Sequence, residues 1–152
     1  MRFLTLFLLV SGMACAATPF SNLLDVGPID QSKPPSVKEL QVPESDEGIR
    51  VVGLHAIVGG KIDEQSDANV YVLVNPLSNP ATRNVWWVQR KVERDGDKFR
   101  CHCQFGEGQQ GAGEYFAILA LASKQGFDVG DQLKDVPKDA KYTKLKIVKR
   151  AD

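Results

Sequence analysis

The triplet Cys101-His102-Cys103 contains two residue types that proteins use for soft-metal and redox chemistry. On a β-strand, residues two apart share a face, so both sulfur atoms point to one side and the imidazole to the other. A site that used all three side chains would need a break in the strand. Extended geometry also places the two cysteine Cα atoms near the upper limit for a disulfide. We therefore expect two small buried thiols, with a disulfide allowed by a β-bulge or a soft-metal site such as copper as alternatives.

A glycine-rich segment follows the triplet and has the spacing of a nucleotide-binding loop. Gly106-Glu107-Gly108-Gln109-Gln110-Gly111 matches G-x-G-x-x-G. That motif needs a following helix, because the helix N-terminus faces the pyrophosphate. Residues 115–119 are instead an apolar run typical of a strand. The segment therefore predicts a flexible loop between two strands and no nucleotide cofactor.

Sets of residues that could perform catalysis are scarce in this chain. His55 and His102 are its two histidines, and it contains no G-x-S-x-G nucleophile motif. We expect a protein that is not an enzyme and that carries no metal and no cofactor.

The side chains predicted to point outward near the triplet are better suited to binding. An aromatic plane beside amide, imidazole and guanidinium groups is typical of a surface that binds a sugar or a peptide. The alternative is an outer sheet face partly covered by residues 18–36 or 125–141. The candidate ligand-binding residues are Trp87, Gln89, Arg100, His102 and Gln104.

These candidates are positioned by a predicted β-hairpin over residues 84–105. Asp95-Gly96 is a preferred centre for a two-residue type I′ turn, and it predicts pairs such as Glu93 with Lys98 and Trp86 with Phe105. Period-2 alternation then puts the cysteines and Trp86 on an inward apolar face and the candidate residues on the outward face. Register and sidedness are therefore predicted together.

Further apolar runs predict the rest of a sheet protein. They cover residues 37–42, 49–58, 69–75, 114–122 and 142–149. With turn signals between them and no long amphipathic helix, they favour an antiparallel β-sandwich of about seven strands, with an open barrel as the alternative. The last run is rich in lysine and ends at Arg150, which predicts an edge strand protected by charge or a surface for an acidic partner.

The N-terminus predicts export. Arg2 precedes a short apolar run over residues 3–10 and then small residues, the layout of a secretory signal that is too short to span a bilayer. Cleavage is expected near Ala14 to Ala17; alternatively, Cys15 ends a lipobox-like sequence and becomes lipidated. The expected organisation is a signal peptide over residues 1–16, an extended proline-containing tether over 17–36 and a β-sandwich domain over 37–152. The periplasm, the cell surface and the medium are all compatible locations.

The balance of charge argues against a nucleic-acid partner. Lys and Arg together number 19, and Asp and Glu together also number 19, whereas nucleic-acid-binding domains usually carry an excess of basic residues. Contact with a membrane is expected only through a lipid anchor at Cys15.

Several segments of this pattern resemble immunoglobulin-like β-sandwich domains of exported bacterial proteins. They are Val70-Tyr71-Val72-Leu73-Val74-Asn75-Pro76, Trp86-Trp87-Val88-Gln89, Asp95-Gly96, Phe105-Gly106 and Tyr115-Phe116-Ala117-Ile118-Leu119-Ala120. The likeness covers roughly residues 38–150, and it implies a binding or adhesion module or a spacer of largely unassigned biochemistry. It transfers no functional residues, because the chain has no pair of distant cysteines that could pin two sheets together.

These observations predict an exported, non-catalytic binding or interaction module of the cell envelope or extracellular space, with an unknown protein or glycan as partner. Two alternatives remain at this stage. One is a periplasmic metal or redox protein that uses Cys101 and Cys103, and the other is a purely structural spacer.

Overall fold

All regular secondary structure in the described residues is β-strand. The structure is a computed structural model, and it describes residues 37–42, 50–62, 68–134, 136–137 and 140–152. The predicted signal peptide and tether, including Cys15, lie outside the described residues. Within them, no helix is long and apolar enough to cross a bilayer.

The chain forms two sheets, which confirms an all-β, sandwich-like protein with more strands than the seven predicted. In the described residues the strands are β1 (Val37–Gln41), β2 (Arg50–Val52), β3 (His55–Ile62), β4 (Asn69–Pro76), β5 (Trp86–Val88), β6 (Glu93–Asp95), β7 (Lys98–Gln104), β8 (Tyr115–Ser123), β9 (Gln132–Leu133), β10 (Lys141–Tyr142) and β11 (Lys146–Arg150). The small sheet has the order β1-β3-β7-β6. The large sheet has the order β2-β11-β8-β4-β5-β9, with β10 also paired to β8. The pairs are antiparallel except for β2 with β11.

The main core lies between the two sheets, and β7 shows how the sequence specifies it. Phe99, Cys101 and Cys103 are buried, while the residues between them are exposed, so the predicted sidedness of this strand is confirmed. Residues of β4 and β8 from the large sheet pack against this face, among them Val72 and Ile118. Period-2 alternation is the physical basis of this agreement, since one face of the small sheet meets the core and the other meets solvent.

A second core lies on the opposite face of the large sheet. Residues of β8 are buried on both faces, so this strand shows no alternation, and Leu119 and Leu121 point away from the small sheet. Residues 124–145, described except at 135, 138 and 139, cover this face; we call them the strap. Phe127 and Tyr142 of the strap pack on the second core. The central strands β4 and β8 are therefore enclosed between the small sheet and the strap.

The predicted hairpin forms only near its turn, and its register is wrong by two residues. Glu93 pairs with Arg100, and Asp95 pairs with Lys98, so the turn is centred on Gly96 and its next residue. Gly96 has a φ of 58°, which suits a glycine at the first central position of a type II′ turn. Because the shift is an even number of residues, the faces of β7 are unchanged.

The outer part of the predicted hairpin does not form, which corrects the predicted topology. Strand β5, which carries Trp86 and Trp87, pairs with β4 and β9 of the large sheet and not with β7. Residues 89–92 then carry the chain across to β6 in the small sheet. Trp86 is buried as predicted, at 1% exposure, but it lies in the second core rather than opposite Phe105.

The C-terminal strand is also not the edge strand that its lysines predicted. Strand β11 lies between β2 and β8, and Arg150 at its end is buried. Val148 and Arg150 share the face that meets the main core, so the charge at position 150 is taken inside the protein.

Candidate functional site

The structure divides the five predicted ligand-binding residues between two places. Trp87, Gln89 and Gln104 line one cleft at an end of the sandwich. Arg100 and His102 lie instead on the exposed outer face of the small sheet. The cause is the departure of β5 from the hairpin, since it moves Trp87 into the large sheet. Of the three candidates on β7, Gln104 at the end of the strand still reaches the Trp87 cleft.

The cleft has a volume of about 780 Å³ and opens where the chain twice crosses between the sheets. One crossing is residues 89–92, and the other is the glycine-rich loop, residues 106–113, which connects β7 to β8. The strap contributes a further wall with Val129 and Gly130. Val129 is 62% exposed, so this wall presents an apolar side chain to solvent. The volume is within the range of about 300–1,000 Å³ that is usual for small-molecule sites.

Trp87 is held in the cleft by backbone pairing on both sides of β5. It pairs with Val74 of β4 and Gln132 of β9, and its side chain is half-buried. The next residue, Val88, donates from its backbone N–H to Asp131 O at 2.9 Å and accepts from Gly130 N at 2.9 Å. The backbone that carries the indole is therefore fixed by the strap as well as by the sheet.

Two glutamine side chains are fixed by hydrogen bonds beside Trp87, and that of Gln89 joins the segment after β5 to β7 of the small sheet. The Gln89 amide accepts from the backbone N–H of Gln104 at 2.8 Å and donates to the Trp87 carbonyl at 3.2 Å. The Gln104 amide donates to the Gly106 carbonyl at 2.9 Å. The oxygen and the NH₂ group of the Gln89 side chain both form hydrogen bonds within the protein, whereas only the NH₂ group of the Gln104 side chain takes part in these bonds. Gln89 is therefore a positioning residue, and Gln104 is better placed to contact a ligand.

The glycine-rich loop is organised by Arg150. The guanidinium donates to the carbonyl oxygen of Phe105 at 3.1 Å and also to the carbonyl oxygens of Gly108 and Gln110. Positive φ values at Gly106 and Gly111, 83° and 91°, let the loop fold back around this cation. The loop connects two strands, as predicted. The group at its centre is the buried Arg150 guanidinium, and not the nucleotide that a G-x-G-x-x-G spacing would otherwise suggest.

The charged side chains of the cleft were not among the predicted ligand-binding residues. Arg90 lines the cleft from the first crossing, while Glu107 and Glu114 line it from the second. These side chains reach the cleft only because distant segments of the chain meet there, so no local sequence pattern indicates them. Arg150 had a usable signal, because period-2 alternation from the buried Val148 places it on the same inward face.

Arg100 and His102 lie on the outer surface of the small sheet. Arg100 is paired with Gly59 on β3 and with Glu93 on β6. His102 is paired with Ile57, an apolar residue that is 49% exposed. This surface is separate from the Trp87 cleft, and Arg100 and Ile57 line a second, open concavity of about 990 Å³ in it.

The two cysteines form a buried thiol pair. Both are free and at most 1% exposed. The Cys101 thiol donates to the Arg90 carbonyl at 3.2 Å, and a hydrogen bond with Cys101 together with burial raises the pKa of Cys103. A protonated, buried thiol is a poor nucleophile and metal ligand. In the described part of the chain, no group of three or more His, Cys, Asp or Glu residues could hold a metal ion.

Comparisons with known proteins identify no relative of this chain. No protein-family model, no curated protein and no solved structure matches the chain.

Proposed function

We propose that this protein is an exported, non-catalytic binding module and that its ligand occupies the Trp87 cleft. The observation that carries the proposal is the placement of a half-buried indole in an open cleft with both polar and apolar lining, next to a second tryptophan that is fully packed in the core. A half-exposed aromatic ring on a rigid strand offers a large contact area at little cost in conformational entropy.

The chemistry of the cleft supports binding rather than catalysis. The side-chain amides of Gln89 and Gln104, which line the cleft together with Trp87, do not act as acids or bases. The Gln89 side chain bonds to the backbone of both Trp87 and Gln104, which pre-organises the surface around the indole. Pre-organisation lowers the cost of binding, because fewer side chains lose rotamer freedom when a ligand arrives.

An immunoglobulin-like architecture and an extracytoplasmic location complete the proposal. Two packed, mainly antiparallel sheets support the first, and the signal-like residues 1–16 support the second. The parallel β2–β11 pair and the strap are additions to a simple seven-strand sandwich.

The rival metal or redox function gains no support from the position of the cysteines. Cys101 and Cys103 face the main core, where a metal or an oxidant would have to pass between the sheets to reach them. A raised pKa at Cys103 further lowers the thiolate fraction that such chemistry needs.

The test compares capture of a ligand by the purified protein and by Trp87→Ala. Immobilised protein is exposed to an envelope and extracellular extract, and each bound component is then titrated against both variants in solution. We expect a saturable ligand whose affinity falls by roughly thirtyfold in Trp87→Ala, as for the truncation of a central aromatic anchor.

A matched control is Val51→Ala, which truncates an exposed apolar residue on edge strand β2, outside the cleft. It should bind like the wild type. Equal binding by Trp87→Ala would refute the site, and the absence of any captured ligand would favour the structural spacer instead.

A further inference from the structure

We infer that the ligand of the Trp87 cleft is a short, uncharged oligosaccharide that is recognised by side chains rather than by backbone pairing. This inference rests on the proposed binding function and narrows it from an unspecified protein or glycan to one chemical class. Three features of the cleft carry it: its closed backbone edges, the kind of polar groups that remain, and its charge.

The backbone edges that could accept a peptide strand beside Trp87 are already paired. Strand β7 extends beyond β6, but the Gln89 side chain accepts from the N–H of Gln104 at this edge. The N–H and carbonyl of Val88 are bonded to Asp131 and Gly130. An extended peptide binds mainly by adding its own backbone hydrogen bonds to a free edge. Within the described residues of this cleft, the strand edges next to the indole therefore leave little for a peptide backbone to pair with.

The polar groups that remain are planar amides and carboxylates. Gln104, Gln110 and Glu107 line the cleft. Sugar hydroxyls both donate and accept, so they match this mixture, while the C–H face of a sugar ring packs against an indole.

The charge of the cleft disfavours an anionic polymer. Its charged lining residues are one cation, Arg90, and two carboxylates, Glu107 and Glu114. A sulfated or uronic-acid-rich glycan would meet no excess of cations, because Arg90 and the buried Arg150 behind the glycine-rich loop only balance the two carboxylates, whereas a neutral glycan can hydrogen-bond to all three lining groups. The open shape at one end of the sandwich leaves room for a chain to continue beyond the cleft.

The experiment titrates the protein with neutral tetrasaccharides of glucose, galactose, mannose and N-acetylglucosamine in different linkages, and with a heparin tetrasaccharide. Isothermal titration calorimetry is the readout for the wild type and for every variant. Trp87 emission is a second readout for the wild type, since the other of the two tryptophans, Trp86, is buried. We expect at least one neutral probe to bind saturably and independently of ionic strength, since no charge is neutralised. The heparin probe should not bind.

Two variants distinguish the roles of the side chains. Trp87→Ala should weaken binding of the neutral probe by roughly thirtyfold. Gln104→Ala removes an exposed amide that donates to the Gly106 carbonyl, so it should leave thermal stability nearly intact while weakening binding roughly fivefold. The second variant keeps the test decisive if the first perturbs folding.

The outcomes separate this inference from the proposed function. If no neutral oligosaccharide binds but a captured peptide or protein binds in a Trp87-dependent way, the ligand class is wrong and the binding function stands. Binding of a neutral probe that is unchanged in both variants would refute the cleft itself. If no neutral probe binds and no Trp87-dependent ligand exists, both proposals are wrong.

Discussion

Replacing Arg150 should destabilise the protein and disorder the wall of the cleft that the glycine-rich loop forms. Its guanidinium donates to three backbone carbonyls, those of Phe105, Gly108 and Gln110. Phe105 is fully buried, so its carbonyl would lose its partner inside the protein, whereas the other two residues are exposed and can bond to water. One buried unsatisfied carbonyl costs about 1–3 kcal/mol. With the lost packing of the arginine stem added and the relief from burying a charge subtracted, Arg150→Ala should lower the free energy of unfolding by about 2–4 kcal/mol.

Urea unfolding measures this change as a lower midpoint with an unaltered slope. Hydrogen exchange adds a local measurement, because the backbone N–H groups of Gln110 and Ala112 are bonded within the loop and should exchange faster in the variant. Arg150→Lys keeps the charge but lacks a planar fork that can reach three carbonyls, so it should fall between the wild type and Arg150→Ala.

The matched control is Lys144→Ala, an exposed position in the same basic C-terminal stretch. It should change stability by no more than about 0.5 kcal/mol. A loss below this size in Arg150→Ala, with unchanged exchange in the loop, would refute the view that this cation organises the cleft.

Two further predictions concern the small sheet. Gly60→Ala should destabilise the protein by roughly 3 kcal/mol in thermal or urea unfolding, because a Cβ there would lie 2.0 Å from the Glu39 carbonyl oxygen. The control Gly126→Ala has open space around the new Cβ and should not destabilise the protein. An unchanged stability of Gly60→Ala would show that β1 can move away at no cost. The pKa of Cys103 is raised above its ordinary 9.0 by the hydrogen bond with Cys101 and by burial, so the folded state holds this proton more tightly than the unfolded state. The unfolding free energy of the wild type relative to that of Cys103→Ala should therefore be constant below about pH 9 and fall above it by about 1.4 kcal/mol per pH unit. Parallel curves of stability against pH for the two proteins would contradict this.

How much of the fold the sequence predicts depends on whether the determining contacts are local. The alternation in β7 is a local signal, and it correctly places the cysteines inside and His102 outside. The strand after the glycine-rich loop is predicted from a local signal too, and β8 confirms it. These inferences need only the neighbouring residues in the chain.

The partner of each strand, by contrast, is a non-local choice. A strong turn signal at Asp95-Gly96 favours one long hairpin, yet β5 finds a better apolar environment in the large sheet. Trp86 and Trp87 therefore belong to different surroundings from those that pairing with β7 would provide. The candidate site is accordingly predicted in part: Trp87, Gln89 and Gln104 come together, while the residues contributed by the strap and by the loop depend on how distant segments meet.

The strap gives the cleft a property that a simple sandwich would lack. It covers the second core, and it also supplies Gly130 and Asp131, whose backbone fixes the strand that carries Trp87. Detachment of the strap would expose buried leucines and remove a wall of the cleft in the same event. Occupation of the cleft and closure of this outer layer are therefore thermodynamically linked, so a ligand that binds only the closed form adds its binding free energy to the stability of the layer. A bound ligand should therefore hold the strap, with its two short strands β9 and β10, more firmly against the rest of the large sheet.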